Sequence, residues 1–498
     1  MKKASSLSAF GFFTLTAAML MSADEYPAFA QSGLLATLLL IIAGVFWFLP
    51  VALAAAQMAT MPGWSDGGVY TWVKGTLGQR AGFIAVFFQW LQITVNFITM
   101  IYFIIGVFAY ALNIPALNTN PWLKLTAFLV IYWTMTVLQL KGINNTDRLV
   151  KWTFILGIIL PALILLIFSI VYLATGHPLQ FALTLSPPSA AKGNTLTLIV
   201  PYILAFTGIE ASASYVNNLK RPRRNYPIIM LTLVVFAIII DSFGGLSVAA
   251  VVPLKDLSLN QGVIQAISAM VSIILGPTFA PLVKIIGLLM AIGMLGEISS
   301  WIVGPVKSLL VTAEDEILPP IFNQVNDRQV PVHLVMLQGI IVSIIAFILT
   351  VIFGGNNGAF AMGMALTVML YLVTYLLLFS GFIVLNLTGK SRQASFKLPG
   401  GKIVCLITGF LGLISSALVF ISTFFPTSNS QLTTLTYFSV MAGFFLLILG
   451  LTLWLYSRRR TSKTHRSWHV RHLNHDEVPR FTQIQGRGEH TIDPTDKT

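Results

Sequence analysis

Along the chain, apolar runs of about twenty residues alternate with short polar connections, and this long period dominates every other pattern. A bilayer core about 30 Å thick requires roughly 20 apolar residues per spanning helix. Reading at that length places about twelve spans, centred near residues 20, 47, 96, 131, 163, 205, 240, 296, 343, 373, 414 and 445. The stretch from Asp256 to Pro281 is too polar for a span and reads as a connection carrying an amphipathic helix. The pattern ends near Tyr456, where a polar, basic and aliphatic-poor tail begins.

Two of the runs are interrupted. "MSADEYPAFAQSG", residues 21 to 33, sets Asp24, Glu25 and Pro27 inside the first apolar run. "LAFTGIEASASYVNN" sets Gly208 and the embedded Glu210 inside the sixth, followed by small residues. Inside a membrane, a proline and acids are tolerated only where the helix faces protein or a water-filled cavity. The interruptions lie five spans apart, which is the spacing of a transporter built from two inverted five-helix repeats. In that architecture the broken first and sixth helices offer free backbone groups and half-helix ends to a substrate at mid-membrane. A pair of packing kinks is the competing reading, and the acid carried by each break speaks for a substrate site. The candidate lining residues are Asp24, Glu25, Tyr26 and Pro27 in the first span, and Gly208, Ile209, Glu210, Ala211 and Ser212 in the sixth.

Composition agrees with the span count. Of 498 residues 56% are hydrophobic and 9% charged, with a mean hydropathy of +0.82, too little polar surface to cover a soluble globule of this length. The net charge of +13 would suggest nucleic acid in a soluble protein; here the cations collect in the connections, and nucleic acid is excluded as a partner. With the N-terminus on the cytoplasmic side, 26 of the 30 Lys and Arg fall on that side, leaving Lys124, Lys192, Lys255 and Lys284 at or near the outer face. The positive-inside rule then places both termini in the cytoplasm. An A-x-A triplet at Ala28–Ala30 imitates a signal-peptide cleavage site, but Asp-Glu-Tyr-Pro precedes it and a new apolar run starts at Leu34. The single Cys405 offers no disulfide or thiol pair.

Further candidates lie at helical spacing. Glu297 and Trp301 are four apart in "MLGEISSWIVGP", and Tyr371 and Tyr375 are four apart in "LTVMLYLVTYLLLF". An acid and a Trp facing two tyrosines would suit a small zwitterion with an aliphatic stem; packing is the alternative role for the aromatics. Asp241 reads as a protonated carboxyl hydrogen-bonding another helix. "GGNNG" and "LPGGK" read as turns rather than phosphate-binding loops. His177 and His333 are isolated loop histidines, so neither a metal site nor an enzyme signature emerges and no cofactor is implied. The other five histidines, His465, His469, His472, His475 and His490, all lie in the tail.

With these residues assembled, the chain resembles the bacterial glutamate/γ-aminobutyrate (GABA) antiporters of the amino acid/polyamine/organocation superfamily. "EYPAFAQSG", "GIEASASYVN", "EISSWIVGP", "VTAEDEILP" and "LTVMLYLVTY" carry the likeness, while "GGVYTWV" marks only the superfamily. The resemblance implies a leucine-transporter-like fold, all-α and membrane-integral: a transport core over residues 1–388, two additional spans over 389–456, and a cytoplasmic tail over 457–498. It also implies exchange of external glutamate for internal GABA by alternating access in the bacterial cytoplasmic membrane. A cytosolic glutamate decarboxylase would consume a proton per turn, and acid resistance would follow. Trp301, Tyr371, Tyr375, Glu210, Glu297 and the 24–27 segment would line the path, and the histidine-rich tail would act as a pH-dependent plug. Two features depart from the family pattern: Asp24 stands where an aromatic Tyr is expected, and the tail differs in sequence. An antiporter or proton symporter for another amino acid is the alternative, with a sensor or a channel beyond it.

Overall fold

The computed structural model describes residues 8–64, 68–141, 152, 155–185, 195–213, 216, 219–315, 317–327, 330–427, 430 and 432–458. These residues form helices, turns and loops throughout. Among the described residues ten helices are long and apolar enough to cross a bilayer, and two more spans, the first and the sixth, are made of broken pieces, in line with the twelve of the hydropathy pattern.

The first span begins as α1 (Ala9–Leu20), started by the Ser8 side chain, which accepts from the Gly11 amide. Met21 and Ser22 are then extended, the chain makes one tight turn over Ala23–Glu25, and α2 (Tyr26–Ala30) resumes with Pro27 in its first turn. Pro27 therefore starts the second half and does not make the break, since a first-turn proline lacks only an amide that has no helical partner. The next elements are α3 (Leu35–Ala59), the short helix α4 (Gly68–Leu77), α5 (Gln79–Ala111), α6 (Pro121–Leu140) and α7 (Ile155–Ala174).

The sixth span repeats the interruption. After α8 (Val200–Leu204) the residues Ala205–Gly208 turn, with Gly208 at a φ of 99°, and α9 (Ile209–Ala213) follows. That φ is open to glycine at no steric cost, which is how the chain ends one half-helix and redirects the other. The remaining elements are α10 (Pro222–Val251), α11 (Gly262–Ile274), α12 (Ala280–Glu314), α13 (Val332–Ile352), α14 (Asn357–Leu387), α15 (Gly401–Ser422) and α16 (Thr434–Ser457). The connection after α10 does carry its helix, α11. "GGNNG" is a turn whose Asn356 caps α14 by accepting from the Gly358 and Ala359 amides. His333 departs from its expected place in a loop: it occupies the first turn of α13, because the apolar period begins at Val332.

The helices α5, α12 and α14 form the centre, with α2 laid along α10 and α15 along α14. The backbones of α7 and α12 meet at Gly157 and Gly293, where a Cβ added to Gly293 would lie 2.1 Å from the Gly157 amide nitrogen. On the periphery, Leu446 and Leu447 of α16 and Ile403 of α15 point outward, as lipid-facing residues must. Polar groups in the interior are generally paired. Gln338 accepts from the Trp90 indole at 2.9 Å and donates to the Ile302 carbonyl at 3.2 Å. Lys124 turns inward, donating to Asn118 Oδ1 at 3.0 Å and the Gly355 carbonyl, with its ammonium 4.2 Å from the Tyr102 ring centre.

Candidate functional site

Each break presents an acid just beyond it. Glu210 follows the left-handed Gly208 by two residues, and its carboxylate is held from three sides. Tyr371 Oη and Gln89 Nε2 donate to Oε1, the latter at 2.9 Å, and Tyr375 Oη donates to Oε2 at 2.7 Å. The Tyr375 hydroxyl also accepts from the Gly208 amide at 3.2 Å. One side chain of α14 thus holds both the free backbone of the sixth-span break and the acid beside it. The two tyrosine rings lie 4.7 Å apart, and Tyr375 meets Trp47 edge-on at 4.8 Å. Trp47 is fixed in turn by donating its indole N–H to Ser416 Oγ at 3.0 Å. Ile209 and Ser212 are buried behind this network, Ser212 donating back to the Ile209 carbonyl at 2.9 Å. Ala211 lies in the backbone of α9 between them.

The tyrosines' partner is therefore Glu210 and not Glu297, against the expectation that the Glu297–Trp301 pair would face them. Trp301 is half-buried and packs against the hydrophobic core. Glu297 belongs to a second group. Asp24 accepts from Ser22 Oγ, and Asp24, Asp241 and Glu297 all act electrostatically on Glu25. Tyr26 is fully buried, feels the charges of Asp241, Glu25 and Asp24, and its hydroxyl has no hydrogen-bond partner among the described residues. Glu297 Oε2 is likewise sealed and unpartnered among them. Asp241, expected to hydrogen-bond another helix through a protonated carboxyl, is buried. It is set one turn before Gly244 and Gly245, the two small residues that admit Tyr26 and Phe29 against α10. Pro27 packs on Gly262 of α11 by the same kind of close approach.

Two residues of the Glu210 network, Gln89 and Trp47, were not singled out by the sequence. Gln89 carries a usable signal, a polar side chain in mid-run within "FFQWLQITVNF". Trp47 carries none, since a Trp in an apolar run is ordinarily packing. Among the described residues no group of three His, Cys, Asp or Glu is arranged to hold a metal ion. The histidines His465, His469, His472, His475 and His490 lie outside the described residues.

Among the described residues the arrangement is a buried polar network centred on Glu210. Comparison with known proteins gives the family. Residues 7–449 match the model of the amino acid permease family. A protein of Lactococcus lactis subsp. lactis named glutamate/gamma-aminobutyrate antiporter is 42% identical over 98% of this chain and 97% of its own length. A namesake from Lactococcus lactis subsp. cremoris shows the same identity and coverage. An uncharacterized transporter of Legionella pneumophila is 27% identical over 91% of the chain and 97% of its own length. Among solved structures, MhsT in complex with L-phenylalanine aligns at a TM-score of 0.56 with 14% identity, covering 83% of this chain and 98% of that one. The Eremococcus coleocola manganese transporter aligns at 0.55 with 14% identity, covering 91% and 94%. At that identity both inform the fold alone, and both have the leucine-transporter-like arrangement. The chain is a multi-pass membrane transporter with two broken spans, and it belongs to the amino acid permease family of the amino acid/polyamine/organocation superfamily.

Proposed function

We propose that the chain exchanges external glutamate for internal GABA by alternating access. The observation that carries this reading is the 42% identity, end to end, with two Lactococcus proteins bearing that name. The breaks support it: Glu210 is tied to Tyr371 and Tyr375 across the sixth-span break, so a rocking motion of one bundle has a polar junction to open and close. Asp24, Glu25, Tyr26, Pro27, Glu297 and Trp301 line the other side of the path. The transport core extends over residues 1–388 and two accessory helices over 389–456. Both termini lie in the cytoplasm, on the strength of the cation bias, in a bacterial cytoplasmic membrane.

Acid favours this exchange on physical grounds. Buried acids repel a glutamate bearing net negative charge, and a falling pH neutralises the substrate. Consumption of the imported glutamate by a cytosolic decarboxylase, with GABA returned, removes protons and supports acid resistance. The basic tail over 457–498 covers the cytoplasmic mouth near neutral pH and leaves it as its five histidines protonate.

The test is counterflow in proteoliposomes. Labelled glutamate should accumulate in GABA-loaded vesicles at pH 5 well above its level in empty vesicles, and less so at pH 7. Equal uptake into loaded and empty vesicles would refute exchange.

A further inference from the structure

The four acids near the first-span break are an anomaly the exchange reading does not absorb. Asp24, Glu25, Asp241 and Glu297 come from the first-span turn, α10 and α12, and Asp24, Glu25 and Asp241 are all less than one-tenth exposed. The carboxyls of Asp24, Asp241 and Glu297 act on Glu25, and those of Asp241, Glu25 and Asp24 act on Tyr26. The stretches of α5, α10 and α12 near the cluster carry no basic residue, and α11, which packs on α2, has no titratable side chain at all. Burying charge without a counter-charge is costly, and four acids multiply the cost.

Glu210 shows what a resolved buried acid looks like in this protein, with three donors on two oxygens. The second group is unresolved in a particular way. Tyr26 is fully buried with an unpartnered hydroxyl whose strongest charged neighbour is Asp241. Glu297 Oε2 is sealed with no donor among the described residues, and Asp241 is buried. A compact cation that brings several N–H donors is the chemical complement of these acceptors. The side chains are not arranged as a metal cage, whereas an ammonium group offers three donors and tolerates acceptors that do not converge on one point.

We propose that Asp241, together with Glu25 and the Tyr26 hydroxyl, receives the ammonium group of the transported substrate, and that Asp241 sets a preference for amine-bearing substrates of neutral or positive charge. This rests on the proposed exchange, whose GABA carries an ammonium separated from its carboxylate by three methylenes. Glu210, saturated by α14 and Gln89, takes no part in ammonium binding. The packing places Asp241 for this role, because Gly244 and Gly245 bring α2 so close that Tyr26 and the acid of α10 share one buried corner.

The experiment uses full-length protein in two arms. In detergent, thermal shift is measured with GABA, 5-aminovalerate and putrescine, and with butyrate, which lacks the amine. The amines should stabilise the protein and butyrate should not, an outcome independent of whether glutamate–GABA exchange occurs. In proteoliposomes, D241N should raise the KM for GABA about tenfold or more, as loss of a charge-assisted hydrogen bond predicts, with a smaller effect on kcat. D241E should recover part of the affinity. D241N should melt no lower than the parent, since it replaces an uncompensated acid by a neutral amide. Exchange that persists with an unchanged KM in D241N overturns the proposal while leaving the exchange reading intact. Butyrate stabilising as well as GABA also overturns it. So does a dependence of exchange on Na+ over choline that D241N abolishes, because the cluster would then hold a metal cation.

Discussion

Replacing Tyr375 by Phe tests the junction at the sixth-span break most directly. The substitution keeps the ring, and with it the 4.8 Å edge contact to Trp47 and the 4.7 Å contact to Tyr371. It removes one oxygen that donates to Glu210 Oε2 at 2.7 Å and accepts from the Gly208 amide at 3.2 Å. A hydrogen bond to a charged group contributes about 1.5–3 kcal/mol, and a buried amide left without an acceptor costs about 1–3 kcal/mol. The break relaxes when its tether is cut, so the two do not add fully, and Y375F should destabilise by about 3 kcal/mol. Y371F removes a single donor to Glu210 and leaves Gly208 satisfied, so about 2 kcal/mol is expected. The assay is denaturation of purified protein in mixed micelles for Y375F, E210Q and the double variant. If Tyr375 acts through Glu210, the coupling energy should reach about 1.5 kcal/mol or more. Strictly additive losses, or equal effects of Y371F and Y375F, would refute the tether and return both tyrosines to ordinary packing.

Three other outcomes are expected. G293A forces a methyl into the Gly157 backbone at 2.1 Å, so helix separation should cost about 1–3 kcal/mol and lower the melting temperature, whereas an unchanged melt would mean the crossing yields freely. On α4, Tyr70 and Lys74 both donate to Asp315 at the C-terminal end of α12; burial, then the Asp315 hydrogen bond and charge, push the Tyr70 phenol well up, so it remains a donor at any working pH. The ion pair is partly exposed, so D315N should cost no more than about 1 kcal/mol from that source, with a salt-sensitive part that vanishes in D315N and can be read from melts at low and high salt. Deletion from His465 onward should leave exchange at pH 5 nearly intact and extend it toward pH 7, because the tail carries nine Lys and Arg against five acids and gains up to five more positive charges on acidification; an unchanged pH profile would exclude a plug.

Hydropathy makes the span count legible because a membrane helix must satisfy its backbone internally over a fixed thickness. The breaks are legible for the same reason, since Asp24, Glu25 and Gly208 are residues a continuous lipid-facing helix does not use. What the one-dimensional pattern does not contain is the pairing of acids with donors. Glu210 and Glu297 look alike in sequence, each an acid embedded in an apolar run, yet only Glu210 meets the tyrosines of α14. The difference arises from the crossing of α5 and α14, which brings Gln89 and both hydroxyls to one point, and no period within a single helix encodes that crossing. Asp241 reads from sequence as a protonated carboxyl hydrogen-bonding another helix, because an acid inside a span is costly unless paired or protonated. Here the two glycines after it draw in α2, which brings Glu25, a second acid, and the unpartnered Tyr26 hydroxyl. The sixth-span acid is thus engaged by donors at its own break, whereas beside the first-span break the Tyr26 hydroxyl and Glu297 Oε2 have no partner among the described residues. In the proposed site, a substrate carrying both a carboxylate and an ammonium would meet unequal sides for that reason, and the side with unpartnered groups would be the one to distinguish an amine from its absence.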